Sequence, residues 1–133
     1  KMLSMLRSVV NNGTGSRLRR NFNIKADMGG KTGTTNFNAD GWFMGFTPQL
    51  VSGTWVGGDE RYIHFNNMRD GQGAEMGLPI YGKFIKKVYA DPTLPYDEDA
   101  KFEIPLNFNP CYREYFGETA SEEPEESIEN VFD

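Results

Sequence analysis

The segment GKTGTT, residues 30–35, is followed by GWFMGFT at 41–47 and LVSGTWVG at 50–57. The two later segments are rich in Trp, Phe, Val and Thr, residue types that favour β-strands. A Pro-Gln pair separates them, so the two segments are predicted to pair as a hairpin. Residues 26–35 predict a further short strand, which is entered through two glycines. The sequence therefore predicts a sheet of three antiparallel strands.

Apolar residues occur on both faces of the predicted hairpin. Trp42, Met44 and Phe46 alternate on one face of its first strand, and Phe43 points to the opposite face. The rings of Trp42 and Trp55 could either stack on a glycan or pack in a protein core. Their positions within strands favour the core, so the hairpin is expected to be covered on both faces.

Two amphipathic segments predict helices before and after the strands. Residues 2–10 place five apolar side chains on one helical face, and an Asn-Gly pair then ends the helix. Apolar residues recur every four positions after Pro79, which predicts a second helix over residues 79–89. Residues 58–78, between the hairpin and this second helix, are polar and rich in glycine and predict a long loop. Arg17, Arg19 and Arg20, which follow the first helix, are expected in a separate solvated loop. Helices and strands together predict an α+β fold.

The charges are distributed unevenly along the 133 residues, a length that suits one modest domain. Residues 114–133 contain eight acidic and no basic residues, and the rest of the chain carries 14 basic and 11 acidic residues. Neither part has the dense basic patch of a nucleic-acid-binding protein. The predicted organisation is a folded part over residues 1–90, an irregular extension over 91–113 and a disordered acidic tail over 114–133.

The segment Gly30-Lys31-Thr32-Gly33 allows three interpretations. A Walker A phosphate loop needs a glycine five positions before Gly30, where Lys25 stands, and it needs a helix after the threonine. An ordinary strand with a glycine kink is the second interpretation, because so short a motif recurs by chance. The third is the Lys-Thr-Gly strand of penicillin-interacting serine enzymes. The tripeptide alone disfavours the first interpretation and leaves the other two open.

The chemistry of the third interpretation follows from the residue types. A substrate that ends in a carboxylate could lie along this strand, where the Lys31 ammonium supplies positive charge. The hydroxyls of Thr32 and Thr34 could donate hydrogen bonds to that carboxylate. Gly33 has no side chain, so the substrate backbone could approach closely. The backbone N–H of Thr34 could then face a developing oxyanion.

Sequence on both sides of this strand favours the third interpretation. From Met2 to about Ala90 the chain resembles the C-terminal part of the transpeptidase domain of class A, bifunctional, penicillin-binding proteins. The order and spacing of the shared motifs both match. These motifs are MLRSVV at 5–10, GTG at 13–15, GKTGTT at 30–35, DGWFMGFTP at 40–48, LVSGTWVGGDE at 50–60 and GQGAEMGLPIYGKFIKK at 71–87.

The resemblance implies a central antiparallel sheet flanked by helices and a peptidoglycan D,D-transpeptidase activity. In that reaction a serine attacks the D-Ala-D-Ala bond of a stem peptide, and β-lactams imitate the donor. Lys31, Thr32, Gly33 and Thr34 are the expected substrate-binding residues. Lys31 acts electrostatically, and the Thr34 N–H contributes to the oxyanion hole. No metal and no organic cofactor is implied.

The chain departs from the family pattern in one respect. The family nucleophile is the serine of a Ser-x-x-Lys motif, and a Ser-x-Asn motif accompanies it, but this sequence contains neither. We therefore expect that both motifs precede Lys1 in a longer parent and that this chain alone is inactive. By resemblance, the parent carries a glycosyltransferase domain upstream. The same resemblance implies that the parent is anchored at the extracytoplasmic face of the bacterial inner membrane, by a segment that this chain lacks.

A non-catalytic protein-interaction module or a degenerate homologue is the alternative, using the Lys-Thr-Gly strand or the acidic tail as its binding surface. The single cysteine, Cys111, excludes an internal disulfide framework, and the lone His64 is expected at the surface. Without the upstream part of the parent, the Lys-Thr-Gly strand is expected to lose a neighbour and the hairpin to have one face uncovered. Unpaired strand edges and uncovered apolar faces recruit partners. The 133-residue chain alone is therefore expected to self-associate.

Overall fold

The computed structural model describes residues 1–103 of the chain, and the predicted acidic tail and Cys111 lie outside them. Its sheet has three antiparallel strands in the order β1-β2-β3, with helices packed against it. This arrangement confirms the predicted α+β fold. The elements are α1 (Met2–Asn11), α2 (Arg17–Arg20), β1 (Gly29–Thr34), a short 3₁₀ turn (Asn36–Asn38), β2 (Asp40–Phe46), β3 (Val51–Gly57), α3 (Met68–Gly71) and α4 (Gly77–Ala90).

The first strand begins three residues later than the sequence predicts. Residues 24–28 run toward β1, and four of them are fully or almost fully buried. Their carbonyls have another partner, because Arg19 donates hydrogen bonds to the carbonyl oxygens of Ile24 at 2.8 Å and Ala26 at 2.7 Å. The expected solvated arginine loop is therefore wrong, since residues 17–20 form a short helix whose Arg19 side chain supports the entry to β1.

One face of the hairpin packs against α4 and forms the main core. The rings of Phe43 and Tyr81, both fully buried, lie 4.9 Å apart between their centroids. Ile85 and Leu78 join the same cluster from α4, and Val10 joins it from the end of α1. The periodicity after Pro79 thus identified the helix, although α4 begins two residues earlier, at Gly77.

No helix or strand of residues 1–103 covers the opposite face of the hairpin, although the ring of Phe102 packs against that of Phe46 at one end, with centroids 5.7 Å apart. Trp42 and Trp55 are 42% and 47% exposed, so the expectation that they pack in the core is wrong. Their rings lie 6.3 Å apart and contact each other instead. The physical reason is that α4 packs on the face that carries Phe43, and no second layer covers the tryptophan face within the described residues.

The extension after α4 contains no helix or strand over residues 91–103, but it is anchored to the folded part. The Asp97 N–H donates to the Gln49 side chain at 2.8 Å, and the Phe102 N–H donates to Asp27 Oδ2 at 3.1 Å. Asp27 also pairs with Arg7 of α1 at 2.9 Å, and both side chains are nearly buried. This carboxylate therefore ties the first helix, the entry to β1 and the extension together.

Candidate functional site

The candidate site lies on β1, and we call residues 31–34 of this strand the KTGT edge. Thr32 and Thr34 lie on one face of the strand, while Lys31 and Gly33 lie on the other, because successive side chains alternate. Lys31 is exposed, and its ammonium donates to the carbonyl oxygen of Thr32 at 2.8 Å. This contact holds the ammonium beside the backbone of Thr32, the first of the two threonines.

The backbone N–H of Thr34 faces away from the sheet. Thr35 donates its N–H to the Asp40 carbonyl at 3.0 Å, so this pair faces inward across the β1–β2 ladder. Thr34 and Gly41 form the next pair in the register. Because inward and outward pairs alternate in an antiparallel ladder, the N–H and C=O of Thr34 point to the outer edge of β1. No other strand of residues 1–103 pairs with that edge.

A glycine loop after α1 reaches the first threonine of the KTGT edge. Gly13 and Gly15 fold this loop tightly onto α1, since their N–H groups both donate to the Val9 carbonyl, at 3.1 and 2.9 Å. A side chain at Gly13 would lie 2.9 Å from the Val9 backbone, which leaves no room for a Cβ. The fold of the loop presents Thr14, whose hydroxyl oxygen lies 3.2 Å from that of Thr32.

A second loop, residues 72–76, holds the other threonine. The Gly73 N–H donates to Thr34 Oγ1 at 3.0 Å. Gly73 packs directly on the sheet backbone, because a Cβ there would lie 2.2 Å from the carbonyl oxygen of Trp42 and 2.4 Å from that of Gly33. Since the Thr34 hydroxyl accepts this bond, its own hydrogen remains available to a ligand.

An ion pair joins α2, which follows the glycine loop, to the 72–76 loop. Arg17 of α2 contacts the Glu75 carboxylate and also donates to the Ala74 carbonyl at 3.4 Å. The hydrogen bond from Arg17, together with its charge, lowers the pKa of Glu75, which favours the ionised pair. The two loops that hold Thr32 and Thr34 are therefore connected to each other.

The turn between β1 and β2 is fixed by Asp40. Its carboxylate accepts hydrogen bonds from the Thr35 hydroxyl and from the Trp55 indole N–H, both at 2.9 Å. The Thr35 hydroxyl also accepts the Asp40 N–H at 2.9 Å. This network fixes the chain immediately after Thr34 and so limits movement of the outward N–H.

The arrangement is suited to binding an anion. One ammonium, two hydroxyls and the outward backbone N–H of Thr34 lie within four consecutive residues, and all of them can donate hydrogen bonds. In residues 1–103, no group of three or more His, Cys, Asp or Glu side chains is arranged to hold a metal ion. His64 is exposed, as expected, and its ring nitrogen lies 3.2 Å from the carbonyl oxygen of Phe65. None of the helices in this part of the chain has the length and apolar character that a membrane crossing requires.

Reasoning from sequence identified the KTGT edge but not the residues that hold its hydroxyls. Thr14, Gly73, Arg17 and Glu75 were not predicted to contribute to the site. The closely spaced glycines of GTG and GQG were the available signal, because paired glycines often mark a close approach of backbone to another segment.

Comparison with known proteins places these features in a family context. No family model matches the chain. Penicillin-binding protein 1A of Aquifex aeolicus is 37% identical over 113 residues, which are 81% of this chain and 14% of the relative. The same protein of Rickettsia bellii is 38% identical over 98 residues, covering 72% of this chain and 12% of the relative. The chain therefore spans about one-eighth of the length of these curated relatives.

A solved structure gives the same result. The crystal structure of penicillin-binding protein 1A from Haemophilus influenzae matches 79% of this chain and 16% of that chain, with a TM-score of 0.64 and 29% identity. These similarities confirm the predicted resemblance to penicillin-binding proteins.

Proposed function

The chain is similar in sequence and in fold to a segment of penicillin-binding protein 1A, and we propose that it forms one wall of the active site of a peptidoglycan D,D-transpeptidase. The reaction crosslinks two stem peptides. A serine attacks the donor peptide at its D-Ala-D-Ala bond and releases the terminal D-alanine, and an amine of a second stem then takes the acyl group from the serine.

The observation that carries this proposal is the set of donors along the KTGT edge. A D-Ala-D-Ala donor ends in a carboxylate, which needs positive charge and hydrogen-bond donors. Lys31 supplies the charge, and the hydroxyls of Thr32 and Thr34 are both held by flanking loops. Charge-assisted hydrogen bonds of this kind are about twice as strong as neutral ones and would fix the end of the donor peptide.

The outward N–H of Thr34 has a second role in this proposal. When the serine attacks, the scissile carbonyl oxygen becomes an oxyanion, and a backbone N–H already pointing at it lowers the barrier without reorganisation. The turn network at Asp40 holds that N–H in place. Gly33 leaves space for the donor backbone beside the strand.

The proposal assigns the acylating serine to sequence outside these 133 residues, because they contain no Ser-x-x-Lys and no Ser-x-Asn motif. We call the polypeptide that contains both this chain and that serine the full-length polypeptide. We place it at the extracytoplasmic face of the bacterial inner membrane, membrane-anchored and with a glycosyltransferase domain. Its proposed ligands are stem peptides and β-lactams.

The release of D-alanine tests this function. The full-length polypeptide is expected to release D-alanine from a synthetic pentapeptide that ends in D-Ala-D-Ala, and the 133-residue chain alone is expected to release none. The matched control is the same pentapeptide with a C-terminal amide, which removes the carboxylate and should react much more slowly. Equal rates for the acid and the amide would contradict the role of the KTGT edge.

Self-association of the 133-residue chain is a separate prediction. The outer edges of β1 and β3 have no strand partner in residues 1–103, and Trp42, Met44, Val51 and Trp55 are exposed on one face. Such edges and apolar faces associate in water. Light scattering over a wide concentration range should therefore give a mass above 15.1 kDa that rises with concentration. Replacing Val51 with Lys should shift the mass toward the monomer, whereas a constant monomeric mass would contradict the prediction.

A further inference from the structure

Thr14 of the glycine loop is not among the donors assigned to the substrate above, yet its side chain contacts that of Thr32. Its hydroxyl oxygen lies 3.2 Å from Thr32 Oγ1, across 18 positions of sequence. Either hydroxyl could be the donor in the free protein. The direction of this hydrogen bond matters, because each threonine hydroxyl carries a single hydrogen.

We propose that Thr14 is a positioning residue for carboxylate recognition: it donates its hydrogen to Thr32 Oγ1, so that the Thr32 hydroxyl can donate to the carboxylate of the acyl donor. This inference rests on the proposed function of the KTGT edge. If Thr32 gives its only hydrogen to a carboxylate, Thr32 can only accept from Thr14. The bound state therefore has one possible direction for this hydrogen bond.

The second threonine supports this reading by its geometry. The Gly73 N–H can only donate, and it donates to Thr34 Oγ1 at 3.0 Å, which leaves the hydrogen of Thr34 for the ligand. Thr14 would give Thr32 the same arrangement by means of a side chain. Both hydroxyls would then be acceptors toward the protein and donors toward the anion, and hydrogen bonds in such chains strengthen one another.

Thr14 is well placed to act without supporting the fold. It is exposed, and the backbone of its loop is held independently by the N–H groups of Gly13 and Gly15. Replacement by valine keeps the shape of the side chain and removes only its hydroxyl. The Thr14→Val variant should therefore fold normally, and its unfolding midpoint checks this.

The test compares acylation of the full-length polypeptide by benzylpenicillin and by its methyl ester, which lacks the carboxylate. Thr14→Val should lower the second-order rate constant for benzylpenicillin about tenfold, the size of one hydrogen bond in a charged network, and leave that for the ester unchanged. Thr14→Ser should restore the rate. Thr32→Val should also lower the rate constant for benzylpenicillin and leave that for the ester unchanged. The Thr14→Val/Thr32→Val double variant should react with benzylpenicillin no more slowly than Thr32→Val alone, because Thr14 acts through Thr32. Thr93→Val, at an exposed threonine after α4, is the matched control.

The outcomes separate the two proposals. The positioning role would be overturned if Thr14→Val slowed acylation by benzylpenicillin and by the ester equally. It would also be overturned if the effects of Thr14→Val and Thr32→Val on the rate constant were additive in the double variant. Both results would leave the proposed function intact. An unchanged rate for Thr14→Val would likewise overturn the positioning role alone. Absence of any adduct on the folded wild-type polypeptide would overturn the proposed function, and the positioning role with it.

Discussion

Replacing Gly73 with alanine is expected to lower the free energy of unfolding by about 3 kcal/mol, at the upper end of the usual cost of overpacking. The new Cβ would lie 2.2 Å from the Trp42 carbonyl oxygen and 2.4 Å from that of Gly33. Both atoms belong to the β1–β2 ladder and cannot rotate away. The 72–76 loop must therefore lift from the sheet, which also breaks the hydrogen bond from Gly73 to Thr34.

Gly53→Ala is the matched control for this prediction. Its Cβ would meet only the flexible thioether of Met44, 2.4 Å away on the exposed face, and this side chain can move. Urea unfolding of the two variants beside the wild-type chain measures the difference. If Gly73→Ala unfolds at the wild-type urea concentration, the 72–76 loop does not pack on the sheet as described.

Replacing Lys31 with methionine is expected to slow acylation of the full-length polypeptide by benzylpenicillin about a hundredfold, the usual cost of losing one preorganised electrostatic contact. Methionine keeps the unbranched apolar stem of the side chain but removes the ammonium that lies 2.8 Å from the Thr32 carbonyl. The acylation rate should fall mainly for substrates that carry a carboxylate. Stopped-flow or quenched mass measurements give the rate constants.

Two variants control for non-specific effects of charge. Lys31→Arg keeps the positive charge and should retain much of the rate. Lys86→Met removes an exposed lysine of α4, a helix that packs on the face opposite the tryptophans, and should leave the rate unchanged. If Lys31→Met reacts as fast as Lys86→Met, the ammonium of Lys31 has no part in the reaction.

The architecture could be predicted from local patterns. The alternation of aromatic residues predicted both strands of the hairpin. The observed strands are Asp40–Phe46 and Val51–Gly57, and no end of either strand differs from its predicted position by more than one residue. Sequence could not show which face of the hairpin is covered. Trp42 and Phe43 have similar hydrophobicity and neighbouring positions, but only Phe43 meets α4, so the assignment of Trp42 to the core was wrong.

The candidate site was predictable only along one strand. The four proposed substrate-binding residues are consecutive, so their combined chemistry could be inferred from the sequence alone. They are Lys31, Thr32, Gly33 and Thr34. The groups that orient the two hydroxyls come from 18 and 39 positions away, at Thr14 and Gly73. Contacts over such separations depend on how the loops fold against the sheet, and no local periodicity encodes them.

The most direct test of the central claim is the intact mass of the full-length polypeptide after incubation with benzylpenicillin. We expect a single covalent adduct, whose formation is strongly slowed when Lys31 is replaced by methionine, and no adduct on the 133-residue chain alone. A correctly folded full-length polypeptide that gains no mass would contradict the proposed acylation. The KTGT edge would then belong to a degenerate homologue or a non-catalytic interaction module.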